Sequence, residues 1–191
     1  MFMILLVKAA VHRLPLNLKS EILENNIVTT EIGKAKTEWN EIPLSEKLNT
    51  KNLNIKINDK NNKEYSGGTA VNVGNPHIIF FVNKIDNFDI KKIGPDIENY
   101  KIFPEKCNVT IAQIINNSLI KVKVWERGAG LTKACGTAAC ATAFASKLNN
   151  LTGDKTDIEF ENGKLTISID EKNSIHMKGP VSDIEKIEIK L

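Results

Sequence analysis

The spacing of apolar and polar positions predicts a chain built mainly of strands. Ile27, Thr29, Glu31 and their neighbours mark one strand that ends at Gly33, and residues 53–57 (LNIKI) alternate cleanly. The continuous apolar run at 78–82 predicts a buried strand. Residues 109–115 and 119–125 read as two strands joined by the turn Asn116-Asn117-Ser118. Residues 158–160 and 165–169 predict a hairpin across Glu161-Asn162-Gly163, and strands at 175–178 and 184–191 close the chain. Helical pattern is scarcer. The strongest segment is 137–148 (TAACATAFASKL), rich in alanine, with Gly136 just before it and the Gly153 turn beyond. Residues 88–94 predict only a short helical turn. Many strands around one small-residue helix predict an α+β fold, with a mixed or antiparallel curved sheet wrapped around a central Ala-rich helix.

Composition narrows the class. A length of 191 residues supports one domain, or one domain plus fragments of another. The net charge of +3 comes from lysines interleaved with acids, as in KSEILENN and SDIEKIEIKL, and arginine occurs only at Arg13 and Arg127. A nucleic-acid footprint needs a stripe or block of positive charge, so no nucleic-acid partner is expected. The N-terminal stretch MFMILLVKAAVH is apolar but brief, lacks a basic leader and is interrupted by Lys8. Neither a signal peptide nor a membrane span is expected from it, and a cytoplasmic location follows. The three cysteines, Cys107, Cys135 and Cys140, form no disulfide framework and are expected as free thiols. Paired C-x-x-C spacing is absent and only His12, His77 and His176 could assist, so no metal site is expected.

The chemistry concentrates in WERGAGLTKACGTAAC, residues 125–140. A strand delivers Glu126 and Arg127, a glycine-rich loop follows, and Cys135 stands at the mouth of the Ala-rich helix. The first N–H groups of a helix lack internal partners and carry a positive partial charge. That field stabilises a thiolate and can lower a thiol's pKa, although the sequence does not fix the pKa of Cys135. The N–H groups of Gly136 and Thr137 make a ready carboxylate site. Taken alone, Cys135 would read as a small buried hydrophobe, the usual fate of a free cysteine. The flanking glycines and the upstream Glu126-Arg127 pair favour chemistry. Cys140, well round the helix from Cys135, reads as packing, and Cys107 as structural.

Two further segments are weaker. Gly74-Asn75-Pro76-His77 forces a turn directly before the apolar run, and by composition it is an ordinary turn. His77 reads either as a satisfied histidine on the strand or as a polar partner that holds a thiol in a reactive state. In FPEKCN, residues 103–108, Asn108 opens a strand.

Together, GNPH at 74–77, FPEKCN at 103–108, and ERGAG with ACGTAAC between Glu126 and Cys140 resemble the diaminopimelate epimerase family. The similarity runs from about Leu18 to the C-terminus, and residues 1–16 match nothing recognisable. The resemblance implies an isomerase that interconverts LL- and meso-diaminopimelate without pyridoxal phosphate, metal or other cofactor. Two cysteines act on opposite faces of the substrate's alpha carbon in that family. Cys135 corresponds to the second of them, with Glu126 and His77 setting thiol protonation. Gly136 and Thr137 would bind the reacting carboxylate. Asn75, Asn108 and Arg127 would hold the far amino-acid end, and Glu126 would also bind an ammonium.

Two positions depart from the pattern: Leu131 stands where an acid is common, and Ala138 where a second glycine is common. The larger departure is the lack of a C-G-N-G segment carrying the first thiol. By resemblance, residues 34–182 form the C-terminal one of two pseudo-symmetric domains. Residues 1–33 and 183–191 are then strands of the other domain. The chain alone is expected to be catalytically incomplete. A homodimer and pairing with a separately encoded N-terminal half both stay open. The alternatives are a non-catalytic fragment or binding half, and a related isomerase of the proline racemase or phenazine type. Arg127 and Asn75 favour a substrate with a second charged end.

Overall fold

A computed structural model describes residues 19–23 and 26–181. Residues 1–16 and the strand expected at 184–191 lie outside the described residues. The elements in chain order are β1 (Ser20–Ile22), β2 (Ile27–Lys34), β3 (Ile55–Asn58), β4 (Glu64–Gly67), β5 (Thr69–Asn72) and β6 (Pro76–Phe81). A short 3-10 turn (Ile85–Asn87) leads into α1 (Ile90–Glu98). Then follow β7 (Asn108–Asn116), β8 (Leu119–Glu126), β9 (Gly130–Thr132), α2 (Gly136–Leu148), β10 (Lys155–Phe160), β11 (Gly163–Ile169) and β12 (Ser174–Pro180).

Among the described residues, ten strands form one sheet in the order β1-β2-β12-β11-β10-β8-β7-β6-β5, with β9 attached to β8. The pairs β6–β7 and β8–β10 are parallel and the other pairs antiparallel, so the sheet is mixed. The strands β3 and β4 form a separate ribbon. No helix among the described residues is long and apolar enough to cross a membrane.

The sheet separates two cores. On one face α2 lies against β5, β6, β7, β10, β11 and β12. Its alanines pack there with Ile79, Ala112, Ile120, Val122, Ile158, Ile167 and Ile175. On the other face α1 and the β3–β4 ribbon enclose Ile55, Ile57, Ile78, Phe80, Ile93, Ile97, Val109 and Ile111. The alternation along β6 is direct: Ile78 and Phe80 serve one core and Ile79 the other. A strand covered on both sides must be apolar at every position, which explains the continuous run at 78–82. Alanine dominates α2 because the helix is buried almost all round and small side chains let the sheet wrap closely around it.

The expected α+β architecture, with a large curved sheet around an Ala-rich helix, is what the structure shows. The second helix is the main correction. Residues 88–94 give no mere turn, because α1 continues through Gly94-Pro95 to Glu98. Gly-Pro ordinarily stops a helix, since Pro removes an N–H and glycine costs backbone entropy. Packing overrides that preference here. A Cβ at position 94 would collide with the indole of Trp125, so only glycine lets α1 close onto β8.

Candidate active site

Four pieces of chain meet at one end of the sheet. The turn before β6 brings Asn75 and His77, the start of β7 brings Asn108, the end of β8 brings Glu126 and Arg127, and the mouth of α2 brings Cys135, Gly136 and Thr137. The parallel pairing of β6 with β7 sets His77 beside Asn108. The β7–β8 hairpin aligns Val109 with Trp125, which carries Glu126-Arg127 to the same end.

The first group centres on Cys135. It is the N-cap of α2, with extended backbone (φ −148°, ψ 113°). The first intrahelical bond runs from the Ala139 N–H to the Cys135 carbonyl at 3.0 Å. The N–H groups of Gly136 and Thr137 precede it and have no partner within the helix. The thiol lies 3.4 Å from Thr137 Oγ1. The negative charge of Glu126 also acts on it. A Cβ at Gly136 would lie 3.0 Å from Met177 Sδ of β12, so the backbone there is closely covered on that side.

The helix field does not prevail at Cys135. The thiol is pushed up from 9.0 to about 12, first by burial, then by the negative charge of Glu126. Cys135 is only 4% exposed. Hydrogen bonding from Thr137 and the Ala138 N–H pulls the other way but is outweighed. The magnitudes explain the outcome: a helix terminus is worth at most about 2 kcal/mol, whereas desolvation shifts a buried group by several pH units.

The second group is braced to the first through the neighbouring residue Arg127. Its N–H donates to Asn108 Oδ1 at 3.0 Å, and Asn108 Nδ2 donates to the Pro76 carbonyl at 3.0 Å. Arg127 gives one guanidinium N–H to the Glu105 carbonyl at 2.7 Å and keeps its other donors. His77 is fully buried, and its Nε2 meets Asn75 Oδ1 at 2.9 Å. That oxygen can only accept, so Nε2 carries the proton, while Nδ1 has no partner. Burial first, then the Arg127 charge, lowers the His77 pKa from 6.5 to about 3, so the ring is neutral. Among the described residues its hydrogen bond is to Asn75 rather than to a thiol.

All eight expected site residues therefore belong to this one end of the sheet. Cys107 and Cys140 do not join them. Both are fully buried. Cys107 donates to the Ile97 carbonyl and is pushed up by burial and by Glu98. Cys140 is pushed up to about 12, mainly by burial. Leu131, 44% exposed on β9, and Ala138, fully buried in α2, fit the fold as they stand. No group of His, Cys, Asp or Glu among the described residues is arranged to hold a metal. Glu98, whose carboxylate reaches the loop after Arg127 from α1, lies in none of the motifs. The available signal is an acid at the last position of a helix, where the macrodipole disfavours it.

Residues 69–184 match the family model described as diaminopimelate epimerase. The chain belongs to the diaminopimelate epimerase family. It is 69% identical over 175 residues to the diaminopimelate epimerase of Pelagibacter ubique, covering 92% of this chain and 64% of that protein. It is 41% identical over 155 residues to the diaminopimelate epimerase of Methylorubrum populi, covering 80% of this chain and 52% of that protein. The chain thus spans between half and two thirds of these relatives. Among solved structures, a predicted epimerase of Pseudomonas aeruginosa matches with TM-score 0.54 and 14% identity, over 85% of this chain and 58% of that one. A hydroxyproline epimerase from Agrobacterium vitis matches with TM-score 0.51 and 11% identity, over 81% of this chain and 50% of that one. At such identities these two likenesses establish the fold that the epimerase family shares with them.

Proposed function

We propose that this chain supplies one catalytic face of a diaminopimelate epimerase, with residues 34–182 as its C-terminal domain. The observation that carries the reading is the Cys135 thiol at the mouth of α2, 3.4 Å from Thr137 Oγ1 and near enough to Glu126 to feel its negative charge, beside the Gly136 and Thr137 amides that have no partner within the helix. Those amides accept the substrate's reacting carboxylate and oppose the negative charge that grows on it as the alpha C–H bond breaks. The resting thiol is protonated. To act as base it passes its proton to Glu126 and then takes the alpha proton; the carbanion is reprotonated from the opposite face. In the return direction the same S–H delivers a proton. Glu126 also faces the substrate ammonium, whose charge offsets the carboxylate. The free donors of Arg127 pair with the distal carboxylate, Asn75 Nδ2 adds a polar contact, and Asn108 holds the Arg127 backbone while keeping one Nδ2 hydrogen for ligand. Neutral His77 orients Asn75. The chemistry uses side chains and backbone amides throughout.

Calorimetric titration tests the two-ended site. Diaminopimelate is expected to bind the purified chain at least about tenfold more tightly than proline, ~1.4 kcal/mol, and R127A to remove that margin. Equal binding of both ligands overturns the assignment. Inversion also needs a donor on the second face, and Cys107 and Cys140 are fully buried. Negligible epimerisation of LL-diaminopimelate in deuterated water is therefore expected of the chain alone. Turnover at rates typical of full-length relatives contradicts this.

A further inference from the structure

Glu98 is placed against two local rules. It is an acid at the last position of α1, facing the negative end of the helix dipole, and it is only 6% exposed. What holds it there is the loop of the site. Its Oε2 accepts the Trp125 Nε1–H at 2.7 Å and its Oε1 accepts the Gly128 N–H at 3.1 Å. Lys106 Nζ lies 3.9 Å away. Gly128 has φ +75° and directly follows Arg127. The adjacent Arg127 N–H is caught by Asn108, so two consecutive amides of the loop are each held by a buried side chain. The Trp125 indole lies between α1 and the loop: Gly94 abuts it on one side, and a Cβ at Gly130 would lie 3.5 Å from its ring.

We infer that Glu98 is a positioning residue for the site, fastening the 126–130 loop to α1 so that Arg127 and Glu126 face the ligand. The inference rests on the reading under Proposed function for what the loop binds. Its mechanical part does not. A carboxylate accepts from Trp125 and Gly128 at once. An amide in its place has one oxygen and an NH2 that meets a donor, so one of the two bonds fails. Local breaking of rules with a compensating gain elsewhere is the pattern of a functional position.

The test compares the 191-residue chain with Glu98→Gln. Proton–nitrogen spectra of the indoles, with Trp39→Phe used to assign Trp125, report the charge-assisted bond. Amide hydrogen exchange reports the loop. The Trp125 indole proton is expected to move upfield, and residues 126–130 to exchange about tenfold faster while α2 and the β10–β11 hairpin are unchanged. Diaminopimelate affinity is expected to fall about fivefold, with no further loss when Glu98→Gln is added to Arg127→Ala. A purely structural role predicts additive losses, and additivity overturns the inference. Unchanged loop exchange overturns it as well. Failure of the wild-type chain to bind diaminopimelate sinks the functional reading alone, and the exchange and indole measurements then decide the role of Glu98. Glu98→Asp, which withdraws the carboxylate by one methylene, serves for the same readings if the Gln variant does not fold.

Discussion

Acidification will destabilise this fold through one buried imidazole. His77 is fully buried on β6, and burial together with Arg127 holds its pKa at about 3 instead of 6.5. Between those values the unfolded chain binds a proton that the native chain refuses. Unfolding therefore takes up a proton, and stability falls as pH falls. The effect is absent above pH 6.5, grows through the interval and is complete near pH 3. Each pH unit is worth about 1.4 kcal/mol, so the loss at pH 4.5 is about 2.7 kcal/mol and the full loss about 5 kcal/mol. Against a typical domain stability of roughly 5–15 kcal/mol this is a large share. The carboxylates with lowered pKa, exposed Asp86 and Asp170 and half-buried Asp157, start from 3.8 and lose most of their contribution below it. Among the described residues, the window from pH 4.5 to 6.5 thus belongs to His77. Urea unfolding across that window is the assay, with His77→Gln as the comparison, since glutamine donates to Asn75 without titrating. Wild type is expected to lose about 2.7 kcal/mol more than the variant between pH 7 and 4.5. A difference between the two that stays flat with pH refutes the argument.

Other outcomes follow from the same packing. Iodoacetamide at pH 8 should label Cys135 in the native chain at least about a hundredfold more slowly than in urea, because a pKa pushed from 9.0 to about 12 leaves little thiolate; comparable rates by mass spectrometry would contradict the burial. Gly94→Ala should lower stability by about 1–3 kcal/mol in thermal unfolding through its collision with Trp125, although alanine is the better helix former. Cys135→Ser should retain the fold, with a melting temperature near that of the wild type, while abolishing any exchange of the substrate alpha proton into deuterated water.

What was legible from the chain alone was whatever depends on short-range pattern. The β7–β8 hairpin announces itself by two alternating runs around Asn116-Asn117-Ser118, and α2 by its alanines between glycines. The candidate site residues could be named from the chain because three short motifs carry them. Three features were decided only in three dimensions. The helix α1 continues through Gly94-Pro95 because Trp125 leaves room for nothing larger, a contact between residues 31 positions apart. Glu98 reaches Gly128 across a separation of 30 residues, which no local window contains. The acidity of Cys135 is the third: the helix terminus favours a thiolate, but burial raises the pKa. A helix terminus is a local property that can be read from order along the chain. Desolvation depends on how many atoms the rest of the fold packs around the sulfur, and at this site the packing outweighs the dipole.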